Sequence, residues 1–266
     1  MELAGKVVVV TGGASGIGKA MCERFVAEGA AGVVIADVDE RGALSLAESL
    51  ASPDARAIPI VADVSQESDV VALVDRAEKE LGPIDLFCSN AGIAGPGDVD
   101  APDAEWDHVW RVNLMSTVYA TRALLPLMEE RGGGYLLVTA SAAGLLTNLG
   151  SAPYSVTKHA AVALAEWISI SHGDDGIKVS CLCPQGVRTP LLERGLVAAE
   201  PSAASVLASG KMIEPEEVAA AVVEGLRDER FLILPHPEVA GYVRHRAEDP
   251  DRWLDGMRRL WARYGP

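Results

Sequence analysis

Lys6-Val7-Val8-Val9-Val10-Thr11-Gly12-Gly13-Ala14-Ser15-Gly16-Ile17-Gly18 is the stretch that decides how this chain folds. The valine run makes a short apolar strand. Glycines then crowd a turn, and a helical pattern follows as far as Glu28. Strand, glycine loop and helix in that order open a βαβ unit. Glycines let the chain turn sharply and let backbone approach a pyrophosphate closely. The helix N-terminus behind the loop adds free N–H groups and a favourable dipole. A purely structural strand-to-helix turn is the plainer reading of such a loop. The agreement of strand, loop and helix favours dinucleotide binding over it.

Outward from this unit the same alternation recurs. Apolar runs at Ala31–Ala36, Ala57–Ala62, Ile84–Ser89, Tyr135–Thr139, Ile177–Cys183 and Phe231–Leu234 read as further strands. Helical patterns separate them at 40–51, 66–81, 104–130, 152–171 and 215–227. Strands that are continuous apolar runs, alternating with helices, predict a parallel sheet covered on both faces. No internal repeat or low-complexity linker divides the chain. The expectation is one α/β domain over residues 1–266, a length that gives it a sizeable core.

Two segments break the alternation. Residues 188–211 follow the sixth strand and carry Leu191, Leu192, Leu196, Val197, Val206 and Leu207. A long insertion beyond a strand's carboxyl end lies where open α/β sheets bind ligands. It reads as a lid over a largely apolar substrate, with a plain pair of surface helices as the alternative. The tail over 237–266 carries Trp253, Leu254, Met257, Leu260 and Trp261 on one helical face. That stripe reads as packed against the body or a second subunit, with a ligand role as the weaker alternative.

Bulk properties exclude several classes. The net charge of −15 argues against nucleic acid and anionic membrane surfaces, which select clustered Lys and Arg. No apolar run approaches the roughly 18 residues of a membrane span. The opening Met1-Glu2-Leu3-Ala4-Gly5-Lys6-Val7 carries no signal-peptide pattern. Cys22, Cys88, Cys181 and Cys183 have neither zinc-site spacing nor a histidine cluster beside them. They read as buried thiols of a reducing compartment, so no metal and a cytoplasmic location are expected.

Two further features carry chemistry. Asp37 ends the second strand, 19 residues after Gly18. A carboxylate there can accept both hydrogen bonds of an adenosine ribose diol and repels a 2′-phosphate. Ser15 and Val38 offer no cation, and Arg41 is the one loose end; a helix-capping Asp is the plainer alternative. Tyr154 and Lys158 stand one turn apart at the start of an Ala-rich helix. A phenol titrates near ~10, and a neighbouring ammonium favours its phenolate. Taken alone, the pair is better read as a packed ring and a solvated charge.

The motifs together reverse that reading, because the chain resembles the short-chain dehydrogenase/reductase family over nearly its whole length. Thr11 to Gly18 looks like the family's TGxxxGxG loop, with Gly12, Ser15, Gly16, Ile17 and Gly18 at the cofactor. Asp63 and Val64 look like its adenine-contacting pair, and Asn90, Ala91 and Gly92 like its NAG turn. Asn113 stands on the helix where the family keeps a catalytic Asn. Ser141, Tyr154 and Lys158 match its catalytic Ser and its YxxxK pair; Pro184, Val187 and Thr189 match its nicotinamide-side loop. The resemblance implies a Rossmann-type doubly wound sheet of seven strands in the order 3-2-1-4-5-6-7, and a homo-dimer or homo-tetramer. It also implies a mechanism. Tyr154 takes the alcohol proton, Lys158 holds the nicotinamide ribose and lowers the Tyr154 pKa, Ser141 binds the substrate oxygen, and Asn113 fixes a water that passes protons toward Lys158.

The sequence departs from the family pattern at Ser89 for Asn, at Ala140 for a frequent second Ser, and at Gln185 where Gly is usual. Gln185 places an amide near the substrate, beside Leu191 of the lid. The five histidines, His108, His159, His172, His236 and His245, lack a partner pattern and are read as ordinary side chains. The expected function is NAD-dependent interconversion of a secondary alcohol and a ketone. An NADP-dependent carbonyl or 3-oxoacyl reductase is the alternative within the class. A non-catalytic dinucleotide-binding sensor is the alternative outside it.

Overall fold

A computed structural model describes residues 1–53, 55–95 and 97–264. Its strands are β1 (Val7–Thr11), β2 (Gly32–Asp37), β3 (Arg56–Val61), β4 (Leu86–Ser89), β5 (Gly134–Thr139), β6 (Ile177–Leu182) and β7 (Leu232–Ile233). All pair in parallel, in the order 3-2-1-4-5-6-7 expected of a doubly wound Rossmann-type sheet. The order reverses between β1 and β4. The loops after those two strands run to opposite sides and leave a crevice along the carboxyl edge.

The helices are α1 (Gly16–Ala27), α2 (Glu40–Leu50), α3 (Glu67–Leu81), α4 (Asp103–Trp110), α5 (Ser116–Glu130), α6 (Ala143–Leu146), α7 (Ala152–His172), α8 (Pro190–Val197), α9 (Pro201–Ser209), α10 (Pro215–Arg227), α11 (Glu238–Glu248) and α12 (Pro250–Tyr264). Side chains alternate between the faces of a strand, so each strand feeds two cores. Val8, Val10, Val33 and Ile35 pack with Met21 and Phe25 of α1 and Val222 and Leu226 of α10. Val9, Val34, Phe87 and Val138 pack with Leu73 of α3, Leu124 and Met128 of α5 and Ile168 of α7. Continuous valine runs therefore make sense here, since both faces are covered.

Three segments gain detail. The long helix over 104–130 is two helices joined by a π-helical turn at Arg111–Met115, which holds Asn113. The insertion after β6 is a helix pair, α8 and α9. Thr189 caps α8 by accepting from the Leu192 N–H at 3.4 Å, with Pro190 at the first helical position. The tail is two helices, and its apolar stripe is split: Leu254 is 49% exposed, whereas Trp253, Met257 and Leu260 face inward on a cavity.

Candidate active site

One cavity of about 1020 Å³ runs along the carboxyl edge of the sheet. At one end the glycine loop is tied to the turn after β4. Thr11 Oγ1 accepts from the Asn90 N–H at 2.9 Å and the Ala91 N–H at 3.1 Å, and the Asn90 amide donates to Thr11 O at 2.9 Å. This closeness is what needs glycine. A Cβ at Gly18 would lie 2.0 Å from Gly12 O, and one at Gly12, where φ is +62°, would lie 2.9 Å from the Ala91 Cα. Gly16 is packed under Thr189, so the loops after β1 and β6 meet across the cavity. The cradle and the open helix N-terminus fit a dinucleotide pyrophosphate.

Asp37 lines the same end. Its Oδ2 accepts from the Ala14 N–H at 2.9 Å and its Oδ1 from the Asp39 N–H at 3.0 Å. Each oxygen keeps a lone pair for a ribose hydroxyl. Asp39, which the sequence reading passed over, lines the cavity as well and caps α2 through Gly42. Among the described residues of the lining, Arg41 is absent. Asp63 braces its own turn by accepting from the Ser65 N–H at 2.9 Å, and with Val64 it completes this wall.

In the middle of the cavity Tyr154, Lys158 and Ser141 converge. The Lys158 Nζ lies 5.6 Å from the Tyr154 ring centroid and donates to Thr139 O at 2.9 Å. Ser141 Oγ receives the Ala143 N–H at 3.1 Å, which holds the hydroxyl beside the phenol. Burial raises the Tyr154 pKa above its ordinary value, and a hydrogen bond from Ser141 pulls it part of the way back. Burial also brings Lys158 down to about 8. Burial thus opposes the lowering of the phenol pKa expected from Lys158 together with a positive nicotinamide ring.

Asn113 is the predicted residue that does not line the cavity. Its Oδ1 accepts from the Ile93 N–H at 2.8 Å, and its Nδ2 donates to Ile93 O at 3.0 Å and Thr157 Oγ1 at 3.3 Å. With both ends of the amide engaged, the side chain clamps the strand-end turn. The Asn113 Oδ1 and the Lys158 Nζ stand on either side of Gly92, 3.4 and 3.3 Å from where its Cβ would be. The amide sits within the π-helical turn, and it is buried.

The far end of the cavity is walled by Leu191 and Leu192 of α8, Val206 of α9, Tyr242 of α11 and the inward face of α12. Gln185 and Pro184 line it near Ser141, and Val187 pairs with Ile213 to close the base of the helix pair. His236, read as ordinary, is 2% exposed and joins three segments here. Its Nδ1 accepts from the Gln185 N–H at 3.1 Å, so Nε2 carries the proton and faces Gly186 O and Lys211 O, each at 3.2 Å. The one signal in the sequence was its place between Pro235 and Pro237. Cys22, Cys88, Cys181 and Cys183 are all buried and free, as read.

A switch-point crevice with a glycine cradle and a Ser–Tyr–Lys set defines an oxidoreductase of the dinucleotide-binding class. Residues 6–196 match the short chain dehydrogenase family model. The chain belongs to the short-chain dehydrogenase/reductase family, whose members bind a nicotinamide dinucleotide. It is 36% identical over 232 residues to 3beta-hydroxysteroid dehydrogenase 2 of Eggerthella lenta, covering 82% of this chain and 86% of that protein. It is 35% identical over 257 residues to 1-deoxy-11-beta-hydroxypentalenate dehydrogenase of Streptomyces exfoliatus, covering 95% and 90%. Among solved structures it resembles a short-chain dehydrogenase/reductase of Burkholderia phymatum in complex with NAD, with a TM-score of 0.86, 31% identity, and 94% and 96% of the two chains covered.

Proposed function

We propose that this enzyme is an NAD-dependent dehydrogenase that interconverts a secondary alcohol and its ketone on a largely apolar small molecule. The observation that carries the reading is Tyr154 set between the Ser141 hydroxyl and the Lys158 ammonium on the cavity wall. In the oxidising direction the Tyr154 oxygen takes the hydroxyl proton while the carbinol C–H leaves as hydride, forming the C=O bond. Ser141 donates to the substrate oxygen as its charge changes. Lys158, with a pKa of about 8, is mostly an ammonium at neutral pH and opposes the desolvation that disfavours the phenolate. The nicotinamide ring, when bound, supplies the hydride acceptor and in its oxidised form a further positive charge. Asn113 acts by position, holding the turn around Gly92 against Lys158.

Gly12, Ser15, Gly16, Ile17 and Gly18 would hold the pyrophosphate end, Asp63, Val64, Asn90, Ala91 and Gly92 the adenine side, and Pro184, Val187, Thr189 and Lys158 the nicotinamide side. Asp37, reinforced by Asp39, supports NAD over NADP. The hydroxysteroid and hydroxypentalenate dehydrogenases among its relatives support a hydroxylated apolar substrate, placed by Ser141, Gln185 and Leu191. Val156, Trp167 and Ile170 share one exposed face of α7, and 83% exposure of Ile170 fits a homo-dimer or homo-tetramer joined there. The free thiols fit the cytoplasm. No helix among the described residues is long and apolar enough to cross a membrane. We read the described residues as one domain.

Tyr154→Phe tests the assignment. It removes the proton acceptor and little else, so kcat falls at least ~10²-fold while NAD binding is kept. Turnover within a few-fold of the parent removes Tyr154 from the chemistry.

A further inference from the structure

Helix α12 contributes nothing to the sheet and lies outside the cofactor end of the cavity, yet it lines the far end. Residues 253, 257 and 260 are spaced by four and three, so Trp253, Met257 and Leu260 share one helical face, and that face is the one on the cavity. The Trp253 ring lies 6.4 Å from the Tyr242 ring of α11, tilted 40° to it, so two aromatic rings stand side by side on the wall. Met257 adds an adaptable thioether. The polar groups nearby spend their hydrogens inside the wall: Ser205 Oγ donates to Ser202 O at 2.8 Å, and Ser202 Oγ donates to Glu200 at 3.4 Å. The α12 face offered to a ligand is therefore apolar, with Asn148, Arg194 and Glu200 elsewhere on the lining, and it shares the cavity with Ser141 and Tyr154.

We propose that α12 is the specificity wall of this enzyme: Trp253, Met257 and Leu260 select secondary alcohols carried on rigid fused-ring hydrocarbon skeletons over small alcohols. This rests on the alcohol–ketone reading above. A single ring bound at Ser141 and Tyr154 offers the wall less apolar surface. A skeleton of several fused rings, anchored by its oxygen, extends onto the wall and removes apolar surface of both from water. Because α12 stands apart from the glycine cradle, changes in it act on the choice of substrate through the ratio of kcat/KM values.

The test measures kcat/KM with NAD for cyclohexanol, 2-decalol and a four-ring 3-hydroxysteroid, on the parent, Met257→Trp and Trp253→Ala. Isothermal titration of the four-ring ketone into the NADH-loaded enzyme reads the same wall without turnover, and circular dichroism checks that each variant is folded. The parent should favour the larger alcohols, and each variant should lower the ratio of four-ring to one-ring kcat/KM by about tenfold or more, the scale of losing contacts in an apolar pocket. Met257→Trp should also weaken ketone binding about tenfold. If ratio and ketone affinity stay within about threefold of the parent in both folded variants, or the parent binds no four-ring ketone, the wall is refuted. If the parent oxidises no alcohol while Met257→Trp still weakens ketone binding, the alcohol reading falls and the wall stands.

Discussion

The two ends of the cavity are held by different forces. The cofactor end is a lattice of hydrogen bonds through Thr11, Asn90, Asp37 and the backbone of the glycine loop. The substrate end is mainly apolar contact between α8, α9, α11 and α12, with a polar knot at His236 behind it. Hydrogen bonds demand particular residue types at particular spacings, whereas apolar contact accepts many side chains of suitable size. The first end can therefore bind one constant ligand, and the second can be retuned from one relative to another without disturbing it.

The hardest blow to the cofactor end is Gly18→Ala. The new Cβ would fall 2.0 Å from Gly12 O and 2.8 Å from the Asn90 amide, so the loop must open. NAD affinity should drop on the order of a hundredfold or more, about 2.7 kcal/mol, as read by calorimetry. Parent-like affinity would show that the cradle is not where the dinucleotide sits.

At the substrate end, His236→Phe keeps the ring and removes its nitrogens. The Gln185 N–H, Gly186 O and Lys211 O lose a partner, costing about 1–3 kcal/mol of stability. If the knot positions the helix pair, KM for the alcohol should rise several-fold while NAD affinity holds. A loss of stability with unchanged KM would confine His236 to the scaffold.

Lys158 lies where the two ends meet, and it sharpens the contrast because it works against the fold. Its pKa falls from 10.5 to about 8 on burial. Between those values the unfolded chain binds a proton that the folded chain does not, so stability gained from this group rises with pH across that window. Below about pH 8 the folded chain carries the full cost of a buried ammonium. Lys158→Met should therefore be more thermally stable than the parent at pH 7 by about 1–2 kcal/mol, with the advantage shrinking toward pH 10 as turnover is lost at every pH. A variant less stable than the parent at pH 7 would mean that the bond to Thr139 O outweighs desolvation.

This contrast also explains what could be read from the chain before its structure. The sheet order, and the gathering of the glycine loop, Asp37, Ser141, Tyr154 and Lys158 on one cavity, were legible because each depends on residue type at fixed spacing. Asn113 was found by position, but its partners were not, since they are the backbone of Ile93, 20 residues away, and the Thr157 hydroxyl. Asp39 was hidden because a helix cap and a cavity wall use the same carboxylate. The split of the tail stripe was hidden too: helical periodicity shows that Trp253, Met257 and Leu260 share a face, and it is silent on whether that face meets protein or a cavity. His236 could not be found by pattern, because its three partners are backbone groups.

The measurement that bears most directly on the proposed function is absorbance at 340 nm during oxidation of a multi-ring secondary alcohol, with NAD and with NADP, on the parent and on Asp37→Ala. The 2′-phosphate of NADP replaces a donor to Asp37 with a dianion. A like-charge pair at about 4 Å and an effective dielectric near 20 costs about 4 kcal/mol. The expected result is a kcat/KM preference for NAD of roughly 10²-fold or more in the parent, shrinking in Asp37→Ala mainly because NAD is used less well. Equal use of NADP and NAD by the parent, or no oxidation with either, would contradict it.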